Sequence, residues 1–111
     1  MRLTRRYSFE AAHQLSSGLP DDHPCRRLHG HHYDFEVTIE GGIDEDGFVL
    51  EYGALDEIVA PVLERYDHRF VNDFLTPSTV ERICHDIWGM LQPRALKVRV
   101  WETARSSVEY P

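Results

Sequence analysis

No apolar run in this chain approaches the roughly 20 residues that a membrane-spanning helix needs, and the opening MRLTRRYSFE lacks the apolar stretch of an export signal. A membrane protein is not expected, and the cytoplasm is. Basic charge is also scarce: 12 Lys and Arg stand against 19 Asp and Glu, a net charge of -7. Such a surface repels a nucleic-acid backbone and offers no basic face to a membrane, so neither is an expected partner. Cysteine is limited to Cys25 and Cys84, a thin basis for a disulfide framework without an export signal. With no internal repeat, low-complexity tract or Pro/Gly/Ser-rich linker, residues 1–111 read as one domain. A hydrophobic content of 41% in 111 residues supports only a modest core, and help from oligomerisation is expected.

Histidine, by contrast, is plentiful at seven residues. Two of the stretches that carry it alternate like half-buried strands. Over 3–15, Leu3, Tyr7, Phe9, Ala11, His13 and Leu15 share one parity, with Arg5 the exception. Over 31–40, His31, Tyr33, Phe35, Val37 and Ile39 share another, and the segment between the two, SSGLPDDHPC, has loop composition. Leu55, Ile58, Val59, Val62, Leu63 and Tyr66 then form a helical stripe in which Pro61 predicts a kink or a break. A second stripe, Val80, Ile83, Cys84, Ile87 and Leu91, opens on Ser78 with Glu81 three residues later, which reads as a capping box. Leu96, Val98, Val100 and Glu102 alternate again, and a short strand closes the chain around 107–110. The order β-β-α-α-β-β predicts an α+β fold with an antiparallel sheet.

His29 and His31 flank one glycine, so a strand reaching back to His29 puts both on one face. An antiparallel partner brings His13 beside them. Three imidazoles with an open fourth position make a catalytic zinc site, whereas Cys25, four residues before His29, would close a structural one; spacing permits both. A single histidine is more often a hydrogen-bonded or exposed side chain than a ligand, but three on inward parity are harder to dismiss. His32 has the opposite parity and is left out. Glu102 lies on an apolar row where an unpaired carboxylate costs several kcal/mol. Its partner is either a ligand with a flat, donor-rich edge or an arginine such as Arg105. Asp67 beside His68 suits acid-base work, although adjacent side chains seldom touch; a helix-capping role for His68 fits equally. Arg26 and Arg27 favour a reactive thiol at Cys25, while Cys84 reads as packing.

FEAAH at 9–13, CRRLHGH at 25–31, YDHRFVND at 66–73, STVER at 78–82 and ETARSSVEY at 102–110 stand in one order along nearly the whole chain. Together they resemble the 6-pyruvoyltetrahydropterin and 6-carboxytetrahydropterin synthase family. The resemblance implies the tunnelling fold, in which subunits join their sheets into a barrel and build active sites across interfaces, as a homo-oligomer such as a hexamer. It implies Zn2+ on His13, His29 and His31, proton acceptance by Cys25, and an acid-base relay of Asp67 and His68. The pterin ring would be anchored by Glu102, with Thr79 and Glu81 near it. The three-residue gap between Cys25 and HGH resembles the carboxy branch, which feeds queuosine synthesis. The substrate implied is 7,8-dihydroneopterin triphosphate, with 6-pyruvoyltetrahydropterin synthesis or a non-catalytic zinc-stabilised module as alternatives. A folate-linked branch carries a glutamate just before HGH, and here no acidic residue lies between Asp22 and Asp34. Departures from the family pattern are His32, Glu51–Tyr52, Pro61 and Arg82, of which Glu51–Tyr52 and Arg82 are expected to bear on the pocket.

Overall fold

Strict alternation makes the first two strands long. The computed structural model describes residues 1–111, with β1 at Arg2–His13 and β2 at His29–Glu40. They pair antiparallel from Arg2 opposite Glu40 to His13 opposite His29. Their inward rows bury Phe9, Ala11, His13, Tyr33, Phe35, Val37 and Ile39. After the turn at 41–50 comes α1 (Tyr52–Tyr66), then the two-residue β3 (Arg69–Phe70) and α2 (Val80–Met90). The chain closes with β4 (Lys97–Thr103) and β5 (Ser106–Tyr110). The sheet order is β3-β1-β2-β4-β5. Both helices turn their stripes to the sheet, burying Leu55, Val59, Val62 and Tyr66 from α1 and Ile83, Cys84 and Ile87 from α2.

Three sequence expectations need correction. The order gains a strand: β3 lies between the helices and pairs parallel with Ala11–Ala12, so the sheet is not wholly antiparallel. Two residues are too few for alternation to show. Pro61 does not divide α1. It sits on the exposed face, where the carbonyl it leaves unpaired can bond water. The cap of α2 is Thr79, whose Oγ1 accepts from the Arg82 N–H at 3.3 Å; Ser78 is fully buried and donates to Asn72 Oδ1 at 2.7 Å.

Arg5 interrupts the apolar row of β1 because α1 supplies its partner. Its Nε donates to Asp56 Oδ1 at 2.8 Å, and the Tyr7 hydroxyl donates to the same oxygen at 2.7 Å. These two bonds hold the Asp56 carboxyl below its usual range, the Tyr7 bond first and the Arg5 bond second. A depressed folded pKa stabilises above the unfolded value of about 3.9, and that stability is lost as pH falls through the folded value. Asp56→Asn is therefore expected to lower the urea midpoint at pH 7 and to flatten the loss of stability below about pH 4. An acid profile as steep as the parent's would show that this carboxylate does not stabilise the fold.

The molecule is long, 57 × 23 × 22 Å, with a radius of gyration of 15.4 Å. A compact domain of this length has about 13 Å. Only 21 of 111 residues are buried, so the core is as modest as composition suggests.

Candidate metal centre and active site

The β1–β2 register builds the centre. His13, the last residue of β1, faces His29, the first of β2, and His31 lies opposite Ala11. Side chains directly across an antiparallel pair stand about 5 Å apart at Cβ, and diagonal ones remain within reach of a ring. The imidazole centroids are 4.4 Å apart for His13–His29, 5.1 Å for His13–His31 and 5.0 Å for His29–His31. One ligand atom from each falls within 4.8 Å of the others.

Hydrogen bonds decide which nitrogen is free. His13 Nδ1 is 2.7 Å from the Ser78 carbonyl, and His29 Nδ1 is 2.7 Å from the Arg27 carbonyl. A carbonyl only accepts, so both Nδ1 atoms donate and each Nε2 keeps its lone pair. The Nε2 atoms of His13, His29 and His31 are all buried without a protein partner. Three converging, unpartnered ring nitrogens fit a cation that prefers nitrogen, and carbonyls on the distal Nδ1, as at His13 and His29, are the usual support for such ligands. Burial lowers the His31 pKa, with His13 and His29 adding to the effect and Glu102 opposing it. That keeps the ring in its ligating neutral form.

Glu102, on the inner row of β4, faces the same point. Its Oε2 is 3.9 Å from His13 Nε2 and its Oε1 is 3.8 Å from His31 Nε2. The expected alternative, an ion pair with Arg105, is absent: Arg105 is exposed and forms no salt bridge. Beneath these groups lies Tyr33, fully buried, its ring 5.6 Å from that of His31 and its hydroxyl unpartnered. Burial first, and Glu102 second, push that phenol upward. In the sequence Tyr33 shares the apolar parity of residues 31–39, and its hydroxyl two residues from His31 is the signal that sets it apart.

Cys25 sits in the 3-10 turn Pro24–Arg26, outside the ligand group. Its carbonyl accepts from the Leu15 N–H at 3.0 Å, which ties the turn just past His13. A closed site of one cysteine and three histidines is thus not assembled in this chain. Arg26 is turned to the loop, donating to the Leu19 carbonyl at 3.2 Å and lying 3.8 Å from Asp21. Cys84 is inert packing: its thiol is pushed up to about 11 by burial and lies 3.4 Å from the Val98 carbonyl.

Asp67 and His68 do touch, contrary to the expectation for neighbours, with Oδ2 3.0 Å from Nδ1. His68 adopts the left-handed conformation, φ 59, which folds its ring back on Asp67. Nor does His68 cap α1; the capping residue is Asp67, and the His68 N–H bonds the Glu10 carbonyl at 2.6 Å. The Glu10 N–H, and then His68, hold the Asp67 carboxyl below its usual range. His68 lies at the β3 side of β1, on a hollow of about 520 Å³ that Glu10, Ala12, Gly30, His31 and His32 also line. Glu10, Ala12, Gly30 and His32 have outward parity, opposite to the three converging histidines. His32 is held there by Glu10 at 2.6 Å and Asp34 at 3.3 Å.

Thr79 caps α2 directly after Ser78, whose carbonyl orients His13, so it stands beside the centre; Glu81 is exposed in the first turn of α2. Of the departures, Glu51 caps α1, accepting from Gly53 and Ala54, and Arg5 lies over the Tyr52 ring at 4.8 Å. Arg5 is eight residues along β1 from His13, about 26 Å away, so within one chain Glu51 and Tyr52 are remote from the centre.

The family model described as PTPS, 6-pyruvoyl tetrahydropterin synthase, matches residues 2–111. A 6-carboxy-5,6,7,8-tetrahydropterin synthase of Synechocystis is 32% identical over 96% of this chain and 89% of its own. A 6-pyruvoyl tetrahydrobiopterin synthase of Drosophila melanogaster is 32% identical over 97% of this chain and 77% of its own. The solved structure of Caenorhabditis elegans 6-pyruvoyl tetrahydropterin synthase superimposes with a TM-score of 0.89 at 27% identity, covering 99% of this chain and 94% of that one. Sequence and fold agree along the full length: the chain belongs to the 6-pyruvoyl tetrahydropterin synthase family.

Proposed function

We propose that the protein is a zinc-dependent 6-carboxy-5,6,7,8-tetrahydropterin synthase, a lyase that converts 7,8-dihydroneopterin triphosphate and water to 6-carboxytetrahydropterin, acetaldehyde and triphosphate on the route to queuosine. The observation that carries this reading is the set of three buried, unpartnered Nε2 atoms with the Glu102 carboxylate facing them. His13, His29 and His31 would hold the ion. The chemistry zinc supplies there when bound is Lewis acidity, which acidifies a substrate hydroxyl and the C–H beside it. Against a C–H so weakened, a moderate base is enough. Cys25 takes that proton, His68 oriented by Asp67 returns or relays one, and Glu102 takes the ring's adjacent N–H donors with its two oxygens. Thr79 and Glu81 flank the ring from the start of α2. Arg27, exposed and without a salt bridge, is available to the triphosphate.

Asp67 and His68 stand at the β3 edge of β1 beside the outward-facing Glu10, whereas the Nε2 atoms of the histidine trio converge in the interior; of the trio only His31 reaches the hollow that His68 lines. A complete site therefore takes this pair from a second copy of the chain, in a homo-oligomer with sites at its interfaces. The elongated, thinly buried protomer supports that assembly.

The likeness to the C. elegans and Drosophila proteins favours a second reading, 6-pyruvoyltetrahydropterin formation by the same residues. Incubation with 7,8-dihydroneopterin triphosphate separates the readings. The carboxy reaction releases acetaldehyde and triphosphate one to one, and the pyruvoyl reaction releases triphosphate without acetaldehyde. Release of neither identifies a non-catalytic zinc-stabilised module. With zinc saturating, Glu102→Ala is expected to raise KM at least tenfold, because a bidentate charged contact to the ring is lost. An unchanged KM removes the anchoring role.

A further inference from the structure

Resting on the metal reading above, we propose that Glu102 is a displaceable fourth ligand, which closes the cation's coordination until a pterin draws the carboxylate away to its ring. The inference starts from an apparent conflict. Glu102 Oε2 and Oε1 approach His13 Nε2 and His31 Nε2 to 3.9 and 3.8 Å. The His13 Nε2 carries a lone pair, because its Nδ1 donates to the Ser78 carbonyl, so acceptor faces acceptor. Something positive belongs between them.

The spacing says what kind. A direct hydrogen bond from a ring nitrogen to a carboxylate is about 2.7–3.2 Å long, which these contacts exceed. Two ligand atoms each about 2.1 Å from a tetrahedral ion lie about 3.4 Å apart; the Glu102 contacts to His13 and His31 are slightly longer and none to His29 falls within 4.0 Å, so the carboxylate moves inward to close the shell. No side-chain cation competes, since no lysine or arginine lies within 4.0 Å of Glu102 and its two neighbours there are these imidazoles. The Glu102 side chain is 27% exposed, shielded enough to favour an ion as its partner yet able to turn outward. The backbone register adds to this, since Glu102 follows Val98 and Val100 on the inner row of β4 and is carried into the site by the strand itself.

The two duties of Glu102 then exclude one another. A carboxylate committed to the ion cannot also take both ring donors, so arrival of the pterin and opening of the fourth position become one event. Exchange of one oxygen ligand for another needs no oxidant or reductant.

Loading the apo-protein with Co2+ in place of zinc and recording its visible d–d bands tests this without turnover. In the absence of any pterin, Glu102→Gln and Glu102→Ala are expected to change the band pattern and to lower Co2+ and Zn2+ affinity on the order of tenfold in chelator competition. Addition of 7,8-dihydroneopterin at a concentration saturating for each protein is expected to bring the parent and Glu102→Ala spectra together, because neither then has the carboxylate on the ion; spectra that stay apart would show that the pterin does not displace it. If Glu102→Ala gives the parent's spectrum and affinity while His31→Ala loses the metal, the fourth-ligand inference is wrong and the histidine site stands. If His31→Ala also keeps the metal unchanged, the metal reading itself falls.

Discussion

Cys25→Ala is expected to keep one zinc per chain and to lose turnover by about 10²- to 10⁴-fold, the contribution of a positioned proton acceptor. Two observations separate this outcome from a structural role. The Cys25 sulfur lies outside the group formed by His13, His29 and His31, so those three rings are expected to hold the metal without it. The turn that carries Cys25 is fixed through backbone atoms, the Leu15 N–H to the Cys25 carbonyl and the Cys25 N–H to His23 Nδ1, which alanine preserves. Zinc analysis beside steady-state kinetics checks it. Loss of metal together with the thiol would instead identify a four-ligand structural site.

His13→Ala has a different expected signature, loss of both metal and stability. His13 is fully buried, and its Nδ1 bond to the Ser78 carbonyl ties the end of β1 to the start of α2. Removing the ring orphans a buried carbonyl, at about 1–3 kcal/mol, and opens a void as well. Metal affinity should fall by more than the 10- to 100-fold that loss of a supporting partner costs, since a ligand itself is gone. His31→Ala keeps the metal test clean because that ring is partly exposed and has no hydrogen-bond partner. Urea unfolding of the apo-proteins and chelator competition read the two effects apart. Equal zinc affinity in the parent and both variants would refute the site.

The halves of this centre differed in how readable they were. The period-2 rows of β1 and β2, separated by an obvious loop, were enough to place His13 beside His29 and His31, because a hairpin pairs its strands wherever the connection allows. Arg5 breaks the pattern because it makes a contact, but its partner, Asp56, is on a helix and no local rule links them. The carbonyls of Ser78 and Arg27 that orient the rings carry no sequence signal at all, since every residue has one. His68 folding back on Asp67 depends on one left-handed residue, and β3 on two; neither leaves a periodic trace. Ser78 and Thr79 are both good caps, and only the inward pull of Asn72 and His13 on Ser78 decides between them.

The antiparallel hairpin also serves as a ruler. Because neighbouring side chains on a strand point to opposite faces, a slip of one residue between β1 and β2 would present Gly30 and His32 where His29 and His31 now stand, and the set of three imidazoles would be broken. The ladder that holds the sheet is thus the same device that sets the spacing of the imidazoles. Chain can be inserted or deleted among residues 16–22 without moving that spacing, provided Cys25 and the Arg27 carbonyl that orients His29 are delivered to the same places. The loop can therefore vary while the spacing of the three imidazoles stays fixed.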